Sequence, residues 1–197
     1  MARECQQLAL ALGMPAEMAS SGQGMTILDV CSGRGIGAAL VSRLLPEASV
    51  VMLDVNPNMD LSHVAARDNL EFVLLDLHSE ETAAVLRRLS SKAEAHGNIC
   101  IAVGMHLCGM LSPRLIQLGS LLDNISAFAV CPCCLQGLLS TYAIQRKRES
   151  GRPLYDSLID TLHDLCVEEL GERGEVSIRR DPDMASPCNG IISAIKS

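Results

Sequence analysis

The sequence predicts an α/β fold in which a doubly wound, mostly parallel sheet carries helices on both faces. Three observations predict it. Short runs rich in Val, Ile and Leu alternate with longer segments of helical spacing, a polar residue closes each of the first five runs, and a glycine-rich turn follows the first run directly. With 197 residues, 48% of them hydrophobic, the chain can bury one sizeable core, so a single domain over residues 1–197 is expected.

Seven strands are expected in order. "MTILDV" is the first, followed by the turn "CSGRGIG" and a helix in "GAALVSRLL". "SVVMLDV" and "LEFVLLDL" are the second and third, and "EETAAVLRRLSSKAEA" has the apolar spacing of a helix. "ICIAVGM" and "ISAFAV" are the fourth and fifth. Asp29, Asp54, Asp76, His106 and Cys131 close these five strands, and their succession places all five on one edge of the sheet. Open α/β sheets bind ligands at that edge, beyond the carboxyl ends of the strands. After Cys134 the pattern loosens into "LQGLLSTYAIQRKRESGRPLY", read as a lid or substrate loop. A helix from about Tyr155 to Glu169 follows, then a turn over Pro187–Gly190 and the strands "VSIRR" and "GIISAIK", the latter starting at Asn189-Gly190.

The turn "LDVCSGRGIGAAL" carries the sharpest motif. Its glycines let the backbone approach a ligand closely, and the helix that follows offers unpaired N–H groups. Gly33, Gly35 and Ala38 also fit the dinucleotide pattern, with Asp54 where a ribose-binding acid belongs, so an NAD(P)-dependent oxidoreductase is an alternative. Asp29 favours another ligand. An anion just ahead of the turn disfavours a pyrophosphate and suits the cationic amino-acid end of S-adenosylmethionine.

From "TILDVCSGRG" through Asp54 and Asp76 to the last strands, the chain resembles the class I S-adenosylmethionine-dependent methyltransferases. It departs from their D-x-G-x-G pattern at Cys31, where Gly is common. The resemblance implies a Rossmann-like seven-stranded sheet whose last strand lies antiparallel beside the fifth. It also implies a cofactor site built from Asp29, Cys31, Ser32, Gly33, Gly35, Asp54, Val55, Asp76, Leu77 and His106, with Asp54 on the ribose and Asp76 on the adenine. "HLCG" and "PCC" resemble elements of a subgroup that includes the tRNA acceptor-stem 2′-O-methyltransferases, which makes RNA, and tRNA in particular, the first methyl acceptor to test.

In that topology Cys108, Cys131, Pro132, Cys133 and Cys134 line the acceptor pocket beside His106. His106 orients or deprotonates the acceptor, or is a structural histidine. Three readings apply to the cysteines: a zinc site, a covalent thiolate, or reduced thiols that only line the pocket. H-x-C and C-P-C-C are not the C-x-x-C pairs of zinc knuckles, so metal-free thiols are expected.

A formal charge of −7 argues against a broad nucleic-acid-binding face, and the one basic run, "QRKRESGR" from Gln145 to Arg152, reads as a solvated loop or helix end or, if RNA is the acceptor, as the main local phosphate contact. The N-terminal "MARECQQLALALGMPAEM" lacks the apolar run of a signal peptide, and no stretch is apolar enough for a membrane. A cytoplasmic protein with reduced cysteines is expected, with the nucleus also open to it. A rival from another class is a non-catalytic S-adenosylmethionine-binding module that acts through a protein partner.

Overall fold

The computed structural model describes residues 1–134, 138–184 and 188–197. Seven strands form one sheet: β1 (Met25–Val30), β2 (Ser49–Asp54), β3 (Leu70–Leu74), β4 (Ile99–Cys108), β5 (Ala127–Cys134), β6 (Gly174–Arg180) and β7 (Gly190–Lys196). Their spatial order is β3-β2-β1-β4-β5-β7-β6. The first five run parallel, and β7 pairs antiparallel with both β5 and β6. This is the expected seven-stranded, mostly parallel sheet, with the seventh strand beside the fifth.

Strand periodicity divides the core in two. Met25 and Ile27 of β1, Val50 and Met52 of β2, and Ile101 and Val103 of β4 pack on one face. They meet Cys5, Leu8 and Ala9 of α1 (Ala2–Ala11) and Ala38 and Val41 of α3 (Ile36–Leu44), with α2 (Ala16–Ser21) adding Ala19. The alternate residues, Leu28 and Val30, Val51 and Leu53, Phe128 and Val130, fill the other face. There they meet α5 (Thr82–Ala95), α6 (Leu111–Leu121) and α8 (Leu154–Leu170). Burial on both faces explains why these strands read as nearly continuous apolar runs. Each fully buried Leu or Ile contributes about 1.5 to 3 kcal/mol, so the two faces carry most of the stability.

Two segments differ from the sequence reading. The expected lid or substrate loop contains α7 (Leu138–Ser150), which follows the short α4 (Ser62–Ala65) and the larger helices in chain order. Leu135, Gln136 and Gly137, and Pro187 of the expected turn, lie outside the described residues. α7 is polar around most of its circumference and leans on α8 through ion pairs, Arg146 to Asp164 at 2.5 Å and Arg152, just beyond its end, to Asp160 at 2.5 Å. No apolar stripe therefore marks it as a helix. The N-terminal segment, assigned no element from sequence, forms α1 and α2. A buried network anchors α1: Ser193 Oγ of β7 donates to Glu4 Oε1 at 2.7 Å, and Arg179 of β6 pairs with the same carboxylate.

Candidate functional site

The parallel strands deliver their polar ends to one edge, in the order Asp76, Asp54, Asp29, His106 and the cysteines of β5. Four strand spacings of about 4.8 Å make this row about 19 Å long, enough for an extended ligand. The direction of winding switches between β1 and β4, the place where open sheets bind ligands.

At the switch, the backbone after β1 enters the left-handed region at Cys31 (φ 57°), Gly33 (φ 54°) and Gly35 (φ 67°). Gly35 ends the turn as the N-cap of α3, and a Cβ there would fall 2.0 Å from Met52 Cε. Cys31 adopts the same region with a side chain, at a cost of about 1 to 2 kcal/mol. The glycine common at that point in D-x-G-x-G thus has a conformational reason. Asp54 braces the turn from β2: its Oδ2 accepts the Gly33 N–H at 2.8 Å and its Oδ1 accepts the Asn56 N–H at 3.0 Å. Asp76 Oδ1 accepts the His78 N–H at 2.9 Å, and the side chain is otherwise exposed.

A cavity of about 510 Å³ opens beside the turn, lined by Asp29, Cys31, Ser32, Arg34, Gly35 and His106, among others. Asp29 is only 4% exposed, and among the described residues no hydrogen-bond donor meets its carboxylate. Burial, partly offset by the terminal amino group and reinforced by the Asp54 charge, pushes its pKa up to about 7. Ser32 Oγ, on the same cavity, is also buried without a partner. The Cys31 thiol is pushed up to about 12, by burial first and then by Asp54, Asp29 and Asp76 in turn. Of the three acids that act on Cys31, Asp29 alone lines the cavity, opposite in charge to Arg34, and its carboxylate is the group there that favours a cationic ligand.

His106 lies at a break in β4. It has a positive φ of 59°, and the pairing steps from Met105 opposite Cys131 to Leu107 opposite Pro132, leaving His106 as the extra residue of a bulge. A second step, from Leu107–Pro132 to Cys108–Cys134, leaves Cys133 as the extra residue on β5. Through these two shifts the sulfurs of Cys108, Cys133 and Cys134 come within 4.8 Å of one another, with Cys108 Sγ 3.0 Å from Cys133 Sγ. The Cys133 thiol donates to the His106 carbonyl at 3.1 Å. Burial, then Cys108 and Cys134, hold the Cys133 thiol well above the usual thiol range.

Asp29, Cys31, Ser32, Gly35 and His106 surround one cavity, while Gly33 joins the turn to Asp54. Asp54, Val55 and Asp76 continue the row toward β3, with Val55 60% exposed and open to a ligand. Leu77 departs from expectation: its side chain is packed in the core and its carbonyl accepts from Arg114 Nε at 3.2 Å. So does Cys131. The C-P-C-C segment is not a turn but the end of β5, and strand alternation sends Cys131 into the core, fully buried, instead of into a pocket. Pro132 sits beyond the last β5–β7 pair, Val130 with Ile192, where no ladder N–H is needed. Its carbonyl accepts the Tyr155 hydroxyl at 2.9 Å, and that hydroxyl in turn accepts the Gly190 N–H at 3.1 Å.

Sequence reasoning missed Arg34, Met105, Ile36 and Leu40 as cavity residues, and Tyr155 as the clasp on β5. The one available signal was the apolar pair Ile36 and Leu40, one helical turn apart at the start of α3.

Among solved structures, the chain is similar to a fibrillarin pre-rRNA processing protein from Methanococcus jannaschii, with 10% identity, a TM-score of 0.54, and coverage of 91% of this chain and 74% of that one. It is also similar to the aminoglycoside resistance methyltransferase NpmB1, with 12% identity, a TM-score of 0.55, and 92% and 91% coverage. The plantazolicin methyltransferase BpumL, solved in complex with SAH, matches at 13% identity and a TM-score of 0.55 over 100% of this chain and 82% of its own. At these identities the likeness is one of fold. No curated protein matches the chain in sequence. Residues 2–141 match the family model described as a methyltransferase domain, and the chain belongs to that family.

Proposed function

We propose that the chain binds S-adenosylmethionine along the carboxyl edge of its sheet and transfers the methyl group to RNA. The observation that carries the cofactor reading is the buried Asp29 carboxylate, which meets no hydrogen-bond donor among the described residues and lines the cavity at the glycine turn together with Ser32 Oγ, buried and likewise without a partner among them. A ligand with a cationic ammonium meets the Asp29 carboxylate, which repels a pyrophosphate, while Ser32 Oγ can pair with the hydroxyls of one or the oxygens of the other. Asp29 and Ser32 would hold the amino-acid part, Arg34 its carboxylate, Asp54 the ribose hydroxyls, and Asp76 the adenine amino group. When bound, S-adenosylmethionine supplies an electrophilic methyl group on a sulfonium. The protein's own task is alignment and exclusion of water, with His106 at the cavity wall placed to orient an acceptor or take its proton.

The solved BpumL complex contains SAH, which supports this cofactor for the shared fold, and the fibrillarin neighbour acts in pre-rRNA processing, which supports RNA as the first acceptor. The local basic run supports a narrower contact than its composition suggests. Arg146 and Arg152 are paired with Asp164 and Asp160, whereas Lys147 and Arg148 stand exposed. Methyl transfer from labelled S-adenosylmethionine to total RNA is the test. We expect label in RNA, and Lys147→Ala with Arg148→Ala should weaken RNA binding with cofactor affinity unchanged. The salt dependence of RNA binding should flatten by roughly one unit of slope for each phosphate no longer neutralised. Label confined to small molecules or protein would assign the acceptor elsewhere.

A further inference from the structure

We propose that Cys108, Cys133 and Cys134 form a three-thiolate site for a zinc ion, with its fourth position left for water or an electron-rich atom of the acceptor. The expectation of metal-free thiols rests on spacing along the chain, which is poor for zinc. Spacing in the fold is different. Cys133 and Cys134 are consecutive in a strand and would ordinarily point to opposite faces. The extra residue on each of β4 and β5 breaks that alternation and turns both sulfurs toward Cys108.

The dimensions fit. A tetrahedral zinc with Zn–S bonds of about 2.3 Å holds its sulfurs about 3.8 Å apart. The three sulfurs here lie within 4.8 Å of one another, with the shortest pair at 3.0 Å, so small side-chain rotations bring all three to that separation. A disulfide accounts for the cluster less well: it would join two sulfurs at about 2.05 Å and leave the third without a role. All three thiols are free, and their partial exposure gives an ion a way in. Among the described residues no fourth Cys, His, Asp or Glu ligand falls within the same span, the pattern of a site with an open position. A surrounding layer is present as well. Cys188 Sγ donates to the Cys133 carbonyl at 3.1 Å and Tyr155 pins the neighbouring Pro132, which holds the strand end, while the S–H contacts of Cys133 and Cys108 to the His106 carbonyl at 3.1 and 3.7 Å belong to the metal-free thiols and are given up on coordination. The ion would thus sit one residue from His106, which lines the cavity. Coordination replaces three S–H bonds by three Zn–S bonds and releases up to three protons to the buffer.

The site can be tested without cofactor or acceptor, so its failure is separate from failure of the methyltransferase reading. The reduced protein is given one equivalent of Zn²⁺ in the presence of a chromophoric chelator, then Co²⁺ in parallel. We expect one zinc held per chain against the chelator, proton release on binding, and a cobalt spectrum with intense thiolate charge-transfer and tetrahedral bands. Each of Cys108→Ser, Cys133→Ser and Cys134→Ser should lose the bound zinc. Zinc left wholly with the chelator by the reduced parent protein, or a cobalt spectrum without thiolate bands, overturns the proposal. That arm uses the unaltered chain and so does not depend on any variant folding.

Discussion

On the proposed reading, Asp29 decides the chemistry of the site at the scale of a single residue. Its carboxyl titrates near pH 7 in the fold, against an ordinary value of 3.8, because burial disfavours the charge. The folded protein therefore keeps this proton longer than the unfolded chain does. No penalty exists below about pH 4, the penalty grows up to about pH 7, and it is complete above that. One pKa unit corresponds to about 1.4 kcal/mol, so Asp29→Asn should raise the melting temperature of the ligand-free protein at pH 8 and leave it unchanged near pH 4. The same substitution should abolish measurable S-adenosylhomocysteine binding. In the parent protein that affinity should increase as pH rises through 7, since the ligand's ammonium then meets a carboxylate. Melting curves at pH 4 and pH 8, and calorimetry at pH 6 and pH 8, check both directions. The importance of Asp29 was legible from its place ahead of the glycine turn. Its raised pKa was not, because that depends on α1 and α3 closing over it. Cys131 and Cys133 show the same limit. They look equivalent in C-P-C-C, and only the bulges, which pairing creates between strands, send one into the core and the other toward Cys108.

Elements hold the acceptor side of the site in place through few contacts, and Tyr155 is the chief one. Its hydroxyl joins the Pro132 carbonyl of β5 to the Gly190 N–H of β7, and Arg180 stacks on its ring at 5.1 Å from the centroid. Tyr155→Phe leaves both backbone groups short of a partner and should cost about 1 to 3 kcal/mol of stability. Because the clasp holds the strand end that carries Cys133 and Cys134, we expect acceptor turnover to fall while S-adenosylhomocysteine affinity stays the same. Chemical denaturation and binding calorimetry on the same preparation check this. A loss of cofactor affinity would place Tyr155 on the wrong side of the site. At this scale the central strands were legible as apolar runs buried on both faces, and the helices α3, α5 and α8 because each buries an apolar face with a clear period. α7 was not, since among its described side chains only Ala143 is buried in the core, and its ion pairs to α8 leave no period in the sequence.

The whole molecule is a scaffold that brings five strand ends into one row, and Asp29, Asp54, Asp76 and His106 of that row were legible because each follows an apolar run, whereas Cys131, read as the fifth, lies in the core. The match of residues 2–141 to the methyltransferase-domain family adds the family, and the sheet order places the glycine turn and His106 at the switch between β1 and β4. What the chain alone did not show was the cavity's other wall, because Ile36, Leu40 and Arg34 belong to the turn and helix that fold over it. No described helix is long and apolar enough to cross a membrane. Every role proposed for the row depends on its being a site for S-adenosylmethionine. Isothermal calorimetry of the purified chain with S-adenosylhomocysteine and with NAD, run beside Asp54→Ala, is the decisive experiment. We expect one S-adenosylhomocysteine per chain with micromolar affinity and no NAD binding. The variant should lose about 1.5 to 3 kcal/mol of binding energy for each ribose hydrogen bond removed. Tight NAD binding, or equal S-adenosylhomocysteine affinity in folded Asp54→Ala, would refute the assignment.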